Sequence, residues 1–551
     1  MIDPGPHWRG RTRYTVFLAG DDAPAVRALQ DAWRADAQRP ARLHIVALAP
    51  ALQPGFHRIP QDDPRLTLTL ISAPLDGALA QLGAQPDAVF LRGVAGTAFV
   101  RPLARIVAAG ARLFAGALDG EQRAALQAQG FVFDGAGGHA VFASRKPRLP
   151  LPPVPVRRAI VIGAGLAGSA ACASLCARGW EVTLVERHPA PAMEASGNLA
   201  GIFMPLLSRD DNIPTRLTRA AYLYALRAWE ALGGIGRAIE GDACGVLQLA
   251  RDAGHAAVSR RIAAEAPPPA DFARWLEQDE AEALLGLPAP DGGWLFPQGG
   301  WARPGSVCAA MLDACGSRLA RRFGAGSVTL ERSGEEWLAR DEAGAAVAGA
   351  PTVVLAGGVG ARQMAQAADL PLAALRGQVT HLDRAGVPAL PLVLCREAYL
   401  TPAAGGIACA GATYDLDADP QLRISSHEEN LERLRGLVSD PAAGEGAPLA
   451  GRVGFRCVAP DRLPLVGRLP DFGAAGSTER LRDVPRHPGL HGLLGYASRG
   501  LIWAPLAAEL LAAQIEGEPL PLEAALVDAL DPARFVLRAR RSSRLPSPAL
   551  D

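Results

Sequence analysis

Gly163, Gly165 and Gly168 follow an apolar run, Ala159–Ile162, and precede a helix-compatible stretch and a second run, Val182–Val185, that ends on Glu186. Each of these residue types has a chemical task. Gly163 permits a tight turn, Gly165 lets the backbone approach a pyrophosphate, and Gly168 lets the helix pack closely on the strand. Leu166 and Ala167 open the helix and offer N–H groups to phosphate oxygens, while Glu186 can accept hydrogen bonds from an adenosine ribose. A glycine triplet alone is a weak signal, because glycine-rich turns are common. With the strand before, the helix after and the acid at the right distance, the combination predicts a dinucleotide site for FAD or NAD.

Such a site needs an α/β layer to hold it, and 551 residues allow two to four domains. The Pro-rich stretch Lys146–Pro155 resists helix and ladder pairing and reads as a stiff linker, over 146–156. Before it, residues 1–145 alternate apolar runs (Tyr14–Leu18, Leu43–Leu48, Leu66–Ile71, Ala88–Leu91) with helical stretches, which predicts a small α/β domain. After it, Ser327–Leu330 reads as a short strand, and Thr352–Leu355 as a buried strand running into Ala356, Gly357 and Gly358, a second point of close approach to a cofactor. The nucleotide layer is thus expected in three pieces, 157–220, 301–371 and 452–535. Segments 221–300 and 372–451 would form an inserted substrate layer, and 536–551 a basic tail.

Lys+Arg and Asp+Glu both number 56, so net charge argues neither for nor against a nucleic-acid partner. The basic run Arg534–Arg544 reads as a solvated tail. Eight cysteines without CxxC spacing read as small buried hydrophobes, and no metal is expected. No apolar run approaches the length of a membrane span and no secretion signal opens the chain, so a cytoplasmic protein without a membrane partner is expected.

Three later motifs narrow the class: Gly454–Gly467 (GFRCVAPDRLPLVG), Gly495–Ile502 (GYASRGLI), and Glu397–Pro402 with Gly411-Ala412-Thr413 behind it. With Arg376–Val379 they resemble the D-amino-acid-oxidase-like FAD family, which includes glycine and sarcosine oxidases. Ala195–Ser208 (ASGNLAGIFMPLLS), Cys244–Leu249 and Phe296–Trp301 are similar to the family of bifunctional tRNA 5-methylaminomethyl-2-thiouridine biosynthesis proteins. That likeness spans about 157–535.

The resemblance implies a Rossmann-type FAD-binding domain with an inserted α+β, glycine-oxidase-like substrate domain. It implies FAD as cofactor and a tRNA partner whose wobble uridine carries a 5-carboxymethylaminomethyl group. That group is an N-substituted glycine; oxidation of its glycine-side C–N bond and hydrolysis would release glyoxylate and leave 5-aminomethyluridine. An oxidase of free glycine, sarcosine or a related amine is the alternative, and a non-catalytic flavin-binding tRNA adaptor is a third reading.

By family position, Arg456 and Arg499 would clamp the substrate carboxylate, for which a planar guanidinium fork is the best partner. Each could instead tie a structural ion pair with a carboxylate such as Asp461. Tyr399 could hydrogen-bond substrate or finish a strand. Ser196, Gly197 and Asn198 would touch the cofactor, or else form an N-cap and turn. Val328 would meet adenine through its backbone, or fill the core. Hydride transfer from the glycine-side carbon needs no general base, and an apolar pocket favours the neutral amine it requires. Gly500, Leu501 and Ile502 start a helix whose amides could stabilise negative charge on the flavin. His381 reads as structural.

The N-terminal piece departs from that family, whose N-terminal half is an S-adenosylmethionine-dependent methyltransferase with a Gly-rich loop after its first strand and a later Asp-Gly-Phe turn. Here the first strand continues as Ala19-Gly20-Asp21-Asp22-Ala23-Pro24, and the later turn reads Leu91-Arg92-Gly93-Val94-Ala95-Gly96. Backbone approach to a cofactor is not supplied by this loop. A degenerate methyltransferase-like domain that does not bind S-adenosylmethionine is expected, kept as a platform or a tRNA-docking surface.

Overall fold

Alternation in the strand Arg13–Ala19 sends Tyr14, Val16 and Leu18 into one apolar core and Phe17 and Ala19 into another. A strand buried on both faces belongs at the centre of a layered α/β sheet. In the computed structural model, which describes residues 5–20, 23–135, 137–143, 154–438, 449–474 and 478–537, that strand is central. The chain divides into two units, Met1–Arg157 with Glu509–Ala529, and Arg158–Ala508 with Leu530–Asp551.

The first unit carries an eight-stranded sheet in the order Gly55–Ile59, Leu66–Ser72, Arg42–Leu48, Arg13–Ala19, Ala88–Leu91, Arg112–Ala115, His139–Phe142, Phe131–Phe133. The five strands from Leu66–Ser72 to Arg112–Ala115 are parallel, and the edges are antiparallel. The four strands read in this part of the sequence are all present. Glu509–Ala529 joins this unit, whereas the sequence reading carried 452–535 in one piece. Two arginines and the packing of Leu520 over Gly83 tie it there. Arg58, buried, donates to Glu509 Oε1 at 2.9 Å and to the carbonyl of Pro519. Arg157 grips Glu516 through Nε and Nη2, both at 2.8 Å. Most of the expected linker, 146–153, and nearly all of the basic tail, 538–551, lie outside the described residues.

The second unit holds a six-stranded sheet ordered Leu319–Arg322, Glu181–Val185, Arg158–Ile162, Thr352–Leu355, Arg486–Leu494, Leu465–Pro470, parallel except for the last pairing. Val161, Val353 and Val354 are fully buried within it, as parallel strands with both faces covered must be. The sequence reading placed a strand at Ser327–Leu330. The observed strand is Thr329–Ser333, which pairs antiparallel with Glu336–Arg340 in a separate three-stranded sheet. The strand beside Glu181–Val185 is Leu319–Arg322, an edge strand with three exposed residues and no apolar pattern to reveal it.

A second eight-stranded sheet draws on both expected insertions and, through Ala450–Val458, on the start of the piece 452–535 expected in the nucleotide layer; its order is Arg274–Leu276, Gly293–Phe296, Val246–Leu249, Val393–Cys395, Tyr399–Leu400, Ile407–Gly411, Ala373–Asp383, Ala450–Val458. The parallel pairing of Val246–Leu249 with Val393–Cys395 joins the two segments.

Candidate active site and cofactor cradle

In the second unit the parallel strand Arg158–Ile162 ends at Gly163, and the helix Leu166–Ala177 begins three residues later. The turn is crowded by main chain. A Cβ on Gly163, whose φ is +107°, would lie 2.8 Å from the carbonyl oxygen of Ala356, and one on Gly168 would lie 1.7 Å from that of Gly163. Only glycine fits either position. At Gly165 the nearest neighbour to an added Cβ is a side chain, Ser196 Oγ at 3.0 Å.

These turns open on a cavity of about 690 Å³ at the carboxyl ends of the parallel strands, where open α/β sheets bind their ligands. Gly163, Gly165, Leu166, Ala167, Glu186, Ser196, Asn198, Val328, Ala356 and Gly357 line one part of it. Gly500, Leu501 and Ile502, at the start of the helix Gly500–Glu516, line it as well. Their amides belong to the first helical turn, which has no intrahelical acceptors to satisfy it. Two expected contacts are not on the cavity wall. Gly168 is set back, where it allows helix and strand to touch. At Gly197 an added Cβ would meet Arg452 Nη2 and the Ala192 carbonyl oxygen, so packing of Arg452 explains this glycine.

Two polar groups of the cradle already serve the protein. Glu186, buried at the end of Glu181–Val185, accepts from the N–H of Ala164 at 2.6 Å and of His188 at 3.0 Å. Each carboxylate oxygen keeps a lone pair for a further donor. Ser196 Oγ accepts from the N–H of Leu166 at 3.1 Å and so caps the helix from outside it. Val328 is buried just before its strand, with the cavity beside it. A glycine turn tolerating no Cβ, a helix N-terminus and a buried acid fit an adenine dinucleotide.

Tyr399, Arg456 and Arg499 line the other part of the cavity. Arg456 lies in Ala450–Val458, antiparallel to Ala373–Asp383, with Gly377 diagonally opposite. A Cβ on Gly377 would stand 2.0 Å from Arg456 Nη1, so this glycine makes room for the guanidinium to lie on the sheet. Arg456 donates to the Thr413 carbonyl at 3.1 Å and sits 4.5 Å from the ring centroid of Tyr414. The ion pair weighed against a substrate role is not formed: Asp461 is engaged by Arg534 through two bonds of 3.0 Å. Arg499 has no carboxylate or hydrogen-bond partner for its guanidinium among the described residues, and burial pushes its pKa down. Burial likewise pushes the Tyr399 phenol up, so its hydroxyl keeps its proton.

Tyr414, Gln248, Glu397 and Tyr496 also line the cavity; the last three stand in motifs quoted above without a role, and Tyr414 was not singled out. Tyr414 directly follows the Gly411-Ala412-Thr413 motif, and an aromatic side chain next to a glycine-bearing strand end was the available signal. His381 has a buried Nε2 without a partner and is not on the cavity wall. No group of three or more His, Cys, Asp or Glu side chains among the described residues could hold a metal.

Residues 158–514 match the FAD dependent oxidoreductase (DAO) family. The chain is 42% identical to the tRNA 5-methylaminomethyl-2-thiouridine biosynthesis bifunctional protein MnmC of Burkholderia thailandensis, over 98% of this chain and 92% of that protein. It is equally 42% identical to the MnmC of Aromatoleum aromaticum, over 97% and 92%. Among solved structures it is similar to glycine oxidase from Geobacillus kaustophilus, with a TM-score of 0.56 at 21% identity, covering 69% of this chain and 99% of that one. Iminodiacetate oxidase from Chelativorans sp. BNC1 superposes with a TM-score of 0.53 at 25% identity, covering 66% of this chain and 96% of that one. A glycine cradle shaped for a dinucleotide, the family match across it and relatives aligned along nearly the whole chain have one reading: the chain belongs to the MnmC family and carries an FAD-dependent oxidoreductase domain with a glycine-oxidase-like fold.

Proposed function

We propose that the chain removes the carboxymethyl group from 5-carboxymethylaminomethyluridine, or its 2-thio form, at the wobble position of tRNA. The observation that carries this reading is the pair Arg456 and Arg499. Both guanidinia line the cavity that also holds the dinucleotide cradle, and neither has a carboxylate partner among the described residues. A planar guanidinium lacking an anion in a half-buried cleft suits a carboxylate ligand. The substrate supplies one: its side chain ends in an N-substituted glycine. Iminodiacetate, named in one of the similar structures, carries the same N-carboxymethyl amine.

FAD, when bound, supplies the two-electron acceptor. The protein's own work is to bind and orient. Arg456 and Arg499 hold the carboxylate, and Tyr399, protonated by burial, donates a hydrogen bond to substrate. Burial around the amine favours its neutral form, whose lone pair assists loss of hydride from the adjacent CH₂. The C–H bond breaks as the C=N bond forms; water then adds, the C–N bond breaks, and glyoxylate leaves with 5-aminomethyluridine remaining on the tRNA. Gly500, Leu501 and Ile502, at a helix start on the cavity wall, would help hold the cofactor, and their amides would offer donors to the negative charge it gains.

The N-terminal unit, in this reading, has lost methyl transfer and serves as a platform. A cavity of about 310 Å³ is lined by Gly20, Asp76, Arg92 and Gly93, at the carboxyl ends of the strands Arg13–Ala19 and Ala88–Leu91. It lacks the glycine cluster of a cofactor cradle. No helix among the described residues is long and apolar enough to cross a membrane. A tRNA substrate would go with a cytoplasmic protein.

The test is anaerobic. tRNA carrying 5-carboxymethylaminomethyluridine should bleach the flavin absorbance of the purified holoenzyme and yield 5-aminomethyluridine in the digest. Bleaching by free glycine or sarcosine, with none by tRNA, would make it a metabolic amine oxidase instead.

A further inference from the structure

Arg376, in the strand Ala373–Asp383, is fully buried beneath the segment 414–424. Its Nε donates to the Asp419 carbonyl at 2.8 Å and its Nη2 to the Gln421 carbonyl at 2.6 Å. Nη1 reaches Asp415 Oδ2 at 3.1 Å and Ser426 Oγ at 3.3 Å. The main chain of Arg376 also exchanges both backbone bonds with Asp415, at 2.9 and 3.0 Å. Arg423 closes the outside of the turn on Asp417 and Asp419 with bonds of 2.8 to 2.9 Å. The segment 414–424 is therefore wound around one guanidinium and held in shape, with its acids already paired to arginines.

This shaped segment displays apolar side chains to solvent. Tyr414 is 53% exposed, Leu416 87%, Leu422 47% and Ile424 78%. Apolar residues scattered singly on a surface need no explanation, but a cluster on a rigid frame marks an interaction site. Here four such side chains fall within the segment 414–424, and the first of them, Tyr414, lines the cavity and has Arg456 over its ring.

We infer that the 414–424 segment is a base-stacking platform for the single-stranded loop that carries the modified uridine. This rests on the wobble-uridine reading and extends it. Tyr414, at the cavity mouth, takes the face of the modified uracil, so that its side chain enters toward Arg456 and Arg499. Leu416 and Ile424 lie under flanking bases. Proteins read single-stranded RNA by splaying bases out to stack on aromatic side chains, which Tyr414 would offer, and the three acids of the segment are engaged by Arg376 and Arg423.

Leu416→Ser with Ile424→Ser tests it in the full-length holoenzyme, because neither side chain supports the fold. The probes are an anticodon stem-loop RNA bearing 5-carboxymethylaminomethyluridine and the free modified nucleoside. The double variant should raise KM for the stem-loop about tenfold with kcat retained, and leave nucleoside kinetics as in the parent. The ratio should persist as salt rises, since apolar stacking releases no counterions. Tyr414→Leu should raise KM for both probes and Tyr414→Phe should restore it. An unchanged KM for the stem-loop in the double variant overturns the platform. So does unchanged RNA kinetics accompanied by a lower self-association in sedimentation, which would assign the patch to a second copy of the chain. A parent enzyme that oxidises glycine but neither RNA nor nucleoside sinks the wobble-uridine reading itself, a distinct result.

Discussion

The two units each build a mainly parallel sheet with a cavity at the carboxyl ends of its strands, yet they differ in what crowds that cavity. In the second unit main chain presses on the turn: carbonyl oxygens stand 2.8 Å from a Cβ at Gly163 and 1.7 Å from one at Gly168. In the first unit a Cβ at Gly20 would find its nearest neighbour at 3.5 Å, and one at Gly93 would find nothing within 4 Å. The polar groups differ too. Glu186 is buried and bound to backbone amides, whereas Arg92 is exposed on the rim of its cavity. The same architecture therefore supports a cofactor cradle in one place and, at Gly20 and Gly93, glycines that no main chain crowds in the other. Binding lives in the loops, and the sheet only presents them.

The sharpest way to break this contrast is Gly168→Ala. We expect the variant to lose FAD altogether, read as the ratio of flavin to protein absorbance, because the helix cannot move off a carbonyl 1.7 Å away without leaving the phosphate site. Near-parent circular dichroism would separate this from unfolding, and a variant that stays yellow would refute the close-packing argument. The first unit predicts the converse: S-adenosylmethionine titrated by calorimetry should give no binding heat, and a measured affinity would restore a cofactor role to its cavity.

Next in size is Arg499→Ala, expected to retain FAD but lower kcat/KM by roughly a hundredfold, the usual consequence of removing one member of a desolvated charge pair. Arg499→Lys should recover part of the loss, since a point charge replaces a fork. Equal kcat/KM in parent and alanine variant would leave the carboxylate clamp to Arg456 alone.

A third test uses acid. His491 is buried between Val354 and Arg468 in the six-stranded sheet, and burial first, then Arg468, pushes it down to about 3. Below the ordinary value of 6.5 the unfolded chain takes up a proton that the folded chain refuses, so stability present above 6.5 is lost as pH falls toward 3. The slope should approach about 1.4 kcal/mol per pH unit well below 6.5, followed by flavin release on thermal melting. His491→Phe should flatten it, and an unchanged slope would assign the acid sensitivity elsewhere.

The smallest effect belongs to the first unit. Gly77 sits inside the helix Leu75–Gln81 with nothing within 4 Å of an added Cβ. Gly77→Ala should stabilise that unit by about 0.5–1 kcal/mol in denaturant titration, although it lies next to the cavity residue Asp76. Destabilisation would mean that the site is less open than its surroundings indicate.

Much of this was legible in one dimension. The spacing of Gly163, Gly165, Gly168 and Glu186 announces the nucleotide turn, because a helix and its flanking strands are local and periodic. The apolar strands of both sheets follow from the same periodicity. What failed was the edge strand Leu319–Arg322, which carries two adjacent arginines and no pattern, and the neighbouring Ser327–Leu330, which turned out to join another sheet.

The sequence by itself determined the α/β class, the glycine cradle and the family to which the chain belongs, since these rest on short-range order and on motifs a few residues long. Only the tertiary structure decided that Gly377 clears the space for Arg456, that Asp461 is taken by Arg534, and that one buried Arg376 shapes the whole turn from Asp415 to Ser426. Those pairings join residues far apart in the chain through hydrogen-bond geometry and steric contact. Neither has a period, so neither is written in the order of the residues.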